Sequence, residues 1–207
     1  MNQVTADLNV KALELLKASK VKKFNQLRME NLDWIPNFKK ADLRGTNLGG
    51  ANLIAADLEE ACLRGAKLIG VDLEGANLVT ANLNGACLDG ACLDGANLRG
   101  ANLRGASLNE TSLIKANLLG VDLDGACLRE TCLKDAEIIE AHLRGTYLEE
   151  ADLRGACLGG ADLSGANLKK ADLRGATLRR TDLRGADLEG VNIEGVDFSE
   201  IMKNNTK

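Results

Sequence analysis

The residues of this chain that could do chemistry are, first of all, six cysteines. All six fall at the second place of a five-residue repeat that spans residues 41–200: Cys62, Cys87, Cys92, Cys127, Cys132 and Cys157. As argued below, the repeat units stack into coils of 20 residues, so cysteines on the same side of the stack that are 40 residues apart lie two coils apart, which is roughly 9.6 Å. A disulfide needs Cα atoms within about 7 Å. We therefore expect six reduced thiols, as in a cytoplasmic protein, and no metal site, because the thiols do not converge.

The remaining titratable side chains do not form a catalytic set. His142 and Tyr147, each the only residue of its type, fall at second places of neighbouring units, and no nucleophile with an adjacent base accompanies them. Glu110, Glu130 and Glu150 occupy the same place in every fourth unit, and they could attract a cation or form a solvated acidic strip. We expect no catalytic residue and no cofactor, since catalysis needs acids and bases in a perturbing environment.

A column of arginine is the most suggestive surface feature. Its members occupy the same place in units that are four or eight units apart: Arg44, Arg64, Arg104, Arg144 and Arg184. A column of aspartate runs beside it: Asp42, Asp122, Asp162 and Asp182. The charges could pair across neighbouring strands, each pair worth about 0–1 kcal/mol, or the arginines could form a surface for phosphate or an acidic partner. We treat the arginine column as the candidate interaction surface.

The repeat itself must position these side chains. From 41 to 200 the chain contains 32 consecutive units of the form A-(D/N)-L-x-x, with leucine at the third place in 29 and alanine at the first place in 23. A period of five fits neither a helix nor a flat alternating strand. Because one unit cannot bury its own leucine, the units must coil and stack as a solenoid, with the first and third residues inward and the second outward.

Comparison of every fourth unit identifies the length of one coil. The fifth place then gives a column of glycine alone, from Gly45 to Gly185, whereas the other three columns mix glycine with larger residues. Four units per coil make a square cross-section with eight coils between residues 41 and 200. A type II turn needs a positive φ that glycine adopts freely, so we expect type II turns in the glycine column and mixed turns at the other corners.

With these motifs the chain resembles the pentapeptide-repeat proteins over residues 36–200, and the segment 24–38 looks like the leader of many cyanobacterial members. The resemblance implies an all-β solenoid, a right-handed quadrilateral β-helix, with the central leucine and the small residue before it facing inward. Pro36 falls at the inward place of one additional, degenerate unit.

The ends predict a division into three parts. Residues 1–35 form a helical N-terminal cap, with two short helices broken near residues 18–20 and with Trp34, Ile35 and Phe38 beneath them; a partner-binding helix is the alternative. Residues 36–200 form the β-helix and residues 201–207 a polar tail. Phe198, Ile201 and Met202 form a candidate dimer edge, because an uncovered β-edge invites self-pairing. The alternative is a monomer whose tail folds back over the edge.

Charge and hydropathy limit the setting. Residues 41–200 carry 16 basic and 26 acidic residues, while residues 1–40 carry 8 and 4, so the rod is acidic and the cap basic. No run of apolar residues is long enough to span a membrane, and the N-terminus lacks the pattern of a signal peptide. We expect a cytoplasmic protein.

These observations favour a non-enzymatic scaffold that binds another protein, with no direct contact to nucleic acid, because a core of leucine and alanine leaves no cavity for a small ligand. The alternative comes from the resemblance: some pentapeptide-repeat proteins mimic duplex DNA and bind DNA gyrase, a topoisomerase. The arginine column, the basic cap and the scarcity of phenylalanine at the third place depart from that pattern. A continuous negative stripe on the surface would favour mimicry, and a patchwork of charges would favour the scaffold.

Overall fold

The N-terminal segment is helical. The computed structural model describes residues 3–196, beginning with helices α1, Gln3–Lys17, and α2, Val21–Glu30. Ser19 between them has a left-handed φ of 53°, and its N–H and that of the next residue bond back to carbonyls of the last turn of α1 at 2.9 and 2.8 Å. This pair of bonds is a Schellman motif that ends α1, and the break falls where the sequence predicts it.

From Asn37 the chain coils so that every fourth unit returns to the same side. From Asn37 to Asp172, each second-place residue forms a parallel β-bridge with its equivalent four units later, and the bridges form four columns that begin at Asn37, Asp42, Asn47 and Asn52. A coil with three or five sides would bridge every third or every fifth unit instead, so these bridges confirm the predicted coil length. The degenerate unit that contains Pro36 joins the stack through the first of these columns.

The four sides of the coil are named by their units. Face A consists of residues 41–45 and every fourth unit after them, face B begins with 46–50, face C with 51–55, and face D with 56–60. The unit of Pro36 also belongs to face D.

Backbone hydrogen bonds link every coil to its neighbours. In a central unit of face A, the N–H groups of Leu103 and Gly105 bond to carbonyls of the next coil at 2.7 and 3.1 Å. The N–H of Asn102 bonds to the previous coil at 2.9 Å, and the N–H of Ala106 closes the corner on the carbonyl of Leu103 at 3.0 Å. Only the N–H of the fourth residue has no backbone acceptor in this pattern.

The second-place aspartate or asparagine accepts that remaining N–H. Oδ1 of Asn97 accepts from the N–H of Arg99 at 3.2 Å, and Oδ1 of Asn102 accepts from that of Arg104 at 3.1 Å. These are Asx turns, in which a short polar side chain bonds to the backbone two residues on. The preference for Asp and Asn at the second place therefore has a structural cause.

Where the second residue is not Asp or Asn, the coil before can supply the acceptor. Ser107 cannot make the Asx turn, and the carboxylate of Asp89, one coil earlier, accepts the N–H of Asn109 at 3.0 Å and the serine hydroxyl at 2.6 Å. Three other side chains of the preceding coil accept a fourth-place N–H in the same way: Asp94 from Ile114, Asn109 from Arg129, and Asp124 from Arg144.

All corners share one backbone conformation. From Lys40 to Gly195, φ of the fifth residue lies between 53° and 72°, whether or not that residue is glycine. A positive φ at the second corner residue alone, with the closing hydrogen bond, defines a type II turn. The expectation of mixed turns at three corner columns is therefore wrong. The ladder bonds on both sides of a corner fix its backbone, so a larger side chain must accept the left-handed conformation, at about 1–2 kcal/mol.

We expect Thr80→Gly to raise the free energy of unfolding by about 0.5–1 kcal/mol, because relief of the left-handed strain exceeds the added flexibility of the unfolded chain. Urea denaturation measures the change. The mirror variant, Gly100→Thr, lies one coil away in the same column at φ 64° and should lower the free energy of unfolding. Equal stability of both variants and the parent chain would contradict strain at the corners.

The interior is filled by the first and third residues of the units. Leucine and alanine at these places are almost fully buried from Leu43 to Leu178. Threonine replaces alanine at four buried first places, and each hydroxyl donates to a main-chain carbonyl at 2.7–2.8 Å: Thr111, Thr131, Thr146 and Thr181. The core is therefore filled and its hydroxyls are satisfied, without an internal ligand cavity among the described residues.

The helices close the first coil. Phe24 of α2 is fully buried, and its ring lies 6.2 Å from that of Phe38. Trp34 and Phe38 are buried as expected, but Ile35 is 61% exposed, so its predicted place beneath the cap is wrong. Side chains alternate along an extended chain, and because Trp34 and Pro36 face inward, Ile35 must face out.

Side chains of the helical segment replace the coil that is missing below the first one. The N–H groups of Asn37, Asn47 and Asn52, which have no earlier coil, donate to cap side chains at 3.0, 3.0 and 2.9 Å. The acceptors are Asn9, Ser19 and Asn25. An open β-edge is thereby capped by specific hydrogen bonds. Neither helix of the described chain has the length and apolar character needed to cross a membrane.

Candidate interaction surfaces

The arginine column on face A is largely paired with its own aspartates. Arg44 bonds Asp42 with both ends of its guanidinium, at 2.8 and 2.6 Å, and Arg184 holds Asp182 in the same way at 2.9 and 2.5 Å. Because the two residues of each pair belong to one unit, the fork of the arginine closes on the carboxylate that also makes the Asx turn. The sequence pattern of both columns is thus accounted for at the two ends of face A.

The middle of face A pairs between coils. Arg104 reaches Asp122 and Asp124 of the next coil at 3.4 and 3.0 Å, and Arg144 reaches Asp162 at 2.5 Å. These arginines are more than half exposed, so each pair contributes little to stability. Face A is a patchwork of neutralised charges rather than a stripe of one sign.

Arg64 is the exception in the column. The second residue of its unit is Cys62, so no carboxylate lies two residues earlier, and within the described chain Arg64 forms no ion pair. It is the one guanidinium of the column that is available to an anionic group of a partner.

The pairs lower the pKa values of their carboxyl groups. The side-chain hydrogen bond from Arg44 lowers the pKa of Asp42 to about 2. Burial tends to raise the pKa of Asp162, but hydrogen bonds from Ser164 and Arg144 outweigh it and lower this pKa to about 2. The side-chain hydrogen bond from Arg184 likewise lowers the pKa of Asp182.

We expect the free energy of unfolding to fall as the pH drops from about 5 to 2. A carboxyl group whose pKa is lower in the folded than in the unfolded chain stabilises the fold above the unfolded value of about 4, and this contribution disappears as the pH falls through the folded value. Denaturant melts at several pH values measure the slope. An Asp162→Asn variant should show a shallower slope, whereas an unchanged slope would mean that this pair is not formed.

Face B carries a second cluster, around Tyr147. The guanidinium of Arg129 lies 5.1 Å from the centroid of the Tyr147 ring and bonds Glu149 at 3.2 Å. Glu149 also accepts from the amide of Asn167 at 2.7 Å. Tyr147 is 42% exposed, so an aromatic ring stands on the surface beside a fixed cation. Sequence reasoning placed Tyr147 outward but missed this cluster, because this combination of residues occurs once and joins side chains of different coils.

The corner beside face B carries the acidic column. Its carboxylates extend from residues with φ of 56°, 55° and 59°: Glu110, Glu130 and Glu150. Glu150 bonds Lys170 of the next coil at 2.7 Å, whereas Glu110 and Glu130 form no ion pair within residues 3–196. Arg129 pairs with Glu149 on the face and not with these corner residues.

The other candidate side chains do not converge. All six thiols are free and half-buried, and burial raises the pKa of Cys87 and Cys92. His142 is exposed on face A. Residues 3–196 contain no group of His, Cys, Asp and Glu that could hold a metal ion.

The described part of the rod has several shallow outer grooves. One, of about 330 Å³, is on face D and includes Ile139, Cys157 and Gly159. Another, of about 560 Å³, lies between the start of α2 and the first coil of face B, where Lys20, Lys22 and Lys23 line it.

The candidate dimer edge lies outside the described residues. Phe198, Ile201 and Met202 belong to the segment after residue 196. In the last coil that the structure describes, Leu188 and Ile193 are 43% and 46% exposed.

The repeat pattern and the stacked coils agree with a known protein family. The family model described as pentapeptide repeats (8 copies) matches the chain over residues 37–68, 61–100, 91–129, 131–169 and 161–200. No curated protein matches the chain.

Two solved structures illustrate the similarity. HetL, a pentapeptide repeat protein involved in the regulation of heterocyst differentiation in the cyanobacterium Nostoc sp. strain PCC 7120, is 36% identical; the match covers 83% of this chain and 78% of HetL with a TM-score of 0.80. Trypsin-treated QnrB1, a plasmid-mediated fluoroquinolone resistance protein, is 21% identical; the match covers 82% of this chain and 88% of QnrB1, with a TM-score of 0.48.

Proposed function

Since the chain belongs to the pentapeptide-repeat family, we propose that it is a non-enzymatic scaffold, a rigid rod whose flat polar faces bind another protein. The observation that carries the proposal is the closed and filled interior, in which leucine and alanine are buried from one coil to the next. Within the described residues, such an interior leaves no enclosed apolar cavity for a small substrate. Its chemistry is therefore on the outside, where side chains project from a backbone held by hydrogen bonds in every coil.

The finer architecture is part of the proposal. The likeness to HetL and the four columns of bridges support a right-handed quadrilateral β-helix of eight coils over residues 36–200. Residues 1–35 act as its cap, and residues 201–207 as a polar tail. Six free thiols support the cytoplasmic location expected from the sequence.

The arginine column is the candidate binding surface of face A. Four of its arginines already form ion pairs with aspartate. A partner would therefore contact an almost neutral surface of ion pairs, in which Arg64 is the unpaired cation. An interface that uses paired side chains loses little entropy on binding, because those side chains are already fixed.

Mimicry of duplex DNA is the alternative function, and the patchwork of face A speaks against it. A DNA mimic that binds gyrase would present a continuous negative stripe, whereas arginines interrupt the acids on face A from Arg44 to Arg184. The basic side chains at the start of α2 add further positive charge at one end.

The test combines a capture experiment with a defined enzyme. Immobilised full-length chain is incubated with extract of its source organism, and Arg64→Ala is compared with Arg99→Ala, an exposed arginine of face D. We expect the parent chain and Arg99→Ala to retain a protein from the extract in similar amounts. Arg64→Ala should retain less of it. Inhibition of supercoiling by purified gyrase would instead support mimicry, and retention of no protein would contradict the scaffold.

Self-association through the C-terminal edge stays a prediction. Light scattering at tens of micromolar protein distinguishes a dimer from a monomer, and a charge at Phe198 should dissociate any dimer that uses this edge. Loss of the dimer on removal of residues 1–30 would assign the interface to the helices.

A further inference from the structure

Around Tyr147 the chain departs from its own repeat at a cost in stability. Tyrosine occupies a second place, where aspartate or asparagine would accept the N–H of the fourth residue, as Asn102 does on face A at 3.1 Å. A phenol held away from the backbone cannot close that Asx turn. The unit of Tyr147 therefore gives up a local hydrogen bond and gains an exposed aromatic ring.

The corner next to Tyr147 makes a second departure. Four successive coils have a charged residue at a left-handed corner, with φ of 55–59°, and this is the longest such run in one column of residues 3–196: Glu110, Glu130, Glu150 and Lys170. Glycine would adopt this backbone without strain. Strained positions that persist in a regular structure are places where function can outweigh stability.

The cluster is held together by its own contacts before any partner arrives. Arg129 is fixed against the Tyr147 ring by Glu149, which Asn167 holds in turn. Tyrosine and arginine are enriched among the residues that dominate binding energy at protein interfaces, and a preordered aromatic side chain loses little entropy on binding. The ring is thus suited to serve as an anchor.

We propose that Tyr147, Arg129, Glu110 and Glu130, here called the Tyr147 patch, dock a basic segment of a partner protein. A planar or apolar side chain of that segment lies on the Tyr147 ring, and its lysines or arginines pair with the two carboxylates. The charge of the occupant follows from Glu110 and Glu130, which form no ion pair within the described chain, whereas Glu150 is already bound to Lys170 at 2.7 Å. The inference rests on the proposed scaffold function and adds the chemistry of its partner.

The same carboxylates decide against a nucleic acid as the occupant. Phosphates would meet two unpaired acids at the corner, and the one cation of the patch is already engaged with Glu149. A basic protein segment instead relieves the repulsion between the acids of the column, and electrostatic complementarity of this kind gives specificity and faster association.

The test uses a synthetic peptide of alternating arginine and phenylalanine, and a matched peptide with glutamate in place of arginine. Fluorescence anisotropy measures binding to the full-length chain. We expect the basic peptide to bind the parent chain, and to bind Tyr147→Asn and Glu130→Gly at least about tenfold more weakly. Asparagine at 147 can close the Asx turn, and glycine at 130 adopts the left-handed corner without strain. Both variants should therefore unfold at a higher temperature than the parent chain. Weaker binding by a more stable protein cannot result from misfolding.

Two further variants serve as controls. Tyr147→Phe keeps the ring and should bind within about twofold of the parent chain. Glu74→Gln removes one negative charge from face C, where Glu74 is exposed, and should leave binding unchanged. If Glu74→Gln weakens binding as much as Glu130→Gly does, or if both peptides bind equally, the attraction is one of net charge and the Tyr147 patch is not a docking site. Failure of the basic peptide to bind the parent chain also overturns the proposal.

The outcome separates this proposal from the scaffold function itself. A protein captured from extract that binds Tyr147→Asn as well as the parent chain leaves the scaffold intact and rejects the Tyr147 patch. Peptide binding that is lost in Tyr147→Asn, together with no captured protein, keeps the patch and rejects the scaffold.

Discussion

Replacing Leu103 with alanine should lower the free energy of unfolding by about 2–5 kcal/mol. Leu103 lies in the middle of the rod, is fully buried, and stacks between Leu83 and Leu123, which are buried as well. Its N–H is bonded to the next coil at 2.7 Å, so the backbone around the lost side chain is fixed by ladders above and below. A cavity that cannot collapse costs most.

Urea denaturation of the full-length chain measures this loss. Arg99→Ala is the matched control, because Arg99 is exposed and forms no ion pair with the described residues; it should change the free energy of unfolding by less than about 0.5 kcal/mol. A loss of that small size in Leu103→Ala would show that the third place of the unit is not the rigid centre of the core.

The period explains why the core and the coil length could be predicted. Leucine at the third place and alanine at the first make sense only if both face one interior, and both are buried along the rod. The column of glycine that includes Gly45 and Gly65 marked every fourth unit as equivalent, which the bridges confirm. Repetition multiplies a weak local signal, so a pattern repeated in every coil determines the stacking.

The corners show where the same reasoning fails. Glycine preference is a statement about side chains, but the ladders on both sides of a corner determine its backbone. Thr80 and Glu110 therefore take φ of 53° and 56°, as glycine does, and residue type alone could not reveal that all corners are alike. The hydrogen bonds between coils, which recur in every coil, therefore determine the corner conformation, and the conformational preference of the residue does not.

The candidate surfaces divide in the same way. Arg44 bonds Asp42 within one unit, which differs from the expected pairing across neighbouring strands. Pairing between the two columns, as of Arg144 with Asp162, could be predicted, since both columns recur. The stacking of Arg129 on Tyr147 could not, because it occurs once and joins different coils. The cap bonds of Asn9 and Asn25 are unpredictable for the same reason: each joins a helix to the first coil, far along the chain. Single long-range contacts leave no period in a sequence.

Replacing Phe24 with alanine should cost about 3–5 kcal/mol of local stability at the N-terminal end of the rod. Phe24 is fully buried, and its ring contacts Phe38 of the first, degenerate unit. Without it α2 loses its anchor, and the side chain of Asn25 no longer holds the N–H of Asn52, now bonded at 2.9 Å. Met29→Ala is the control, since Met29 is 74% exposed in the same helix.

Amide hydrogen exchange distinguishes this effect from that of Leu103. In a solenoid each coil contacts only its neighbours, so the end coil can open while the middle stays closed. The N–H groups of Asn47 and Asn52 should therefore exchange faster in Phe24→Ala, while that of Asn102, bonded to the previous coil at 2.9 Å, keeps its protection. In Leu103→Ala the protection of Asn102 should fall most. Equal acceleration along the whole rod in Phe24→Ala would mean that the coils unfold as one unit and that the cap secures the entire rod, because then no coil could open without the others.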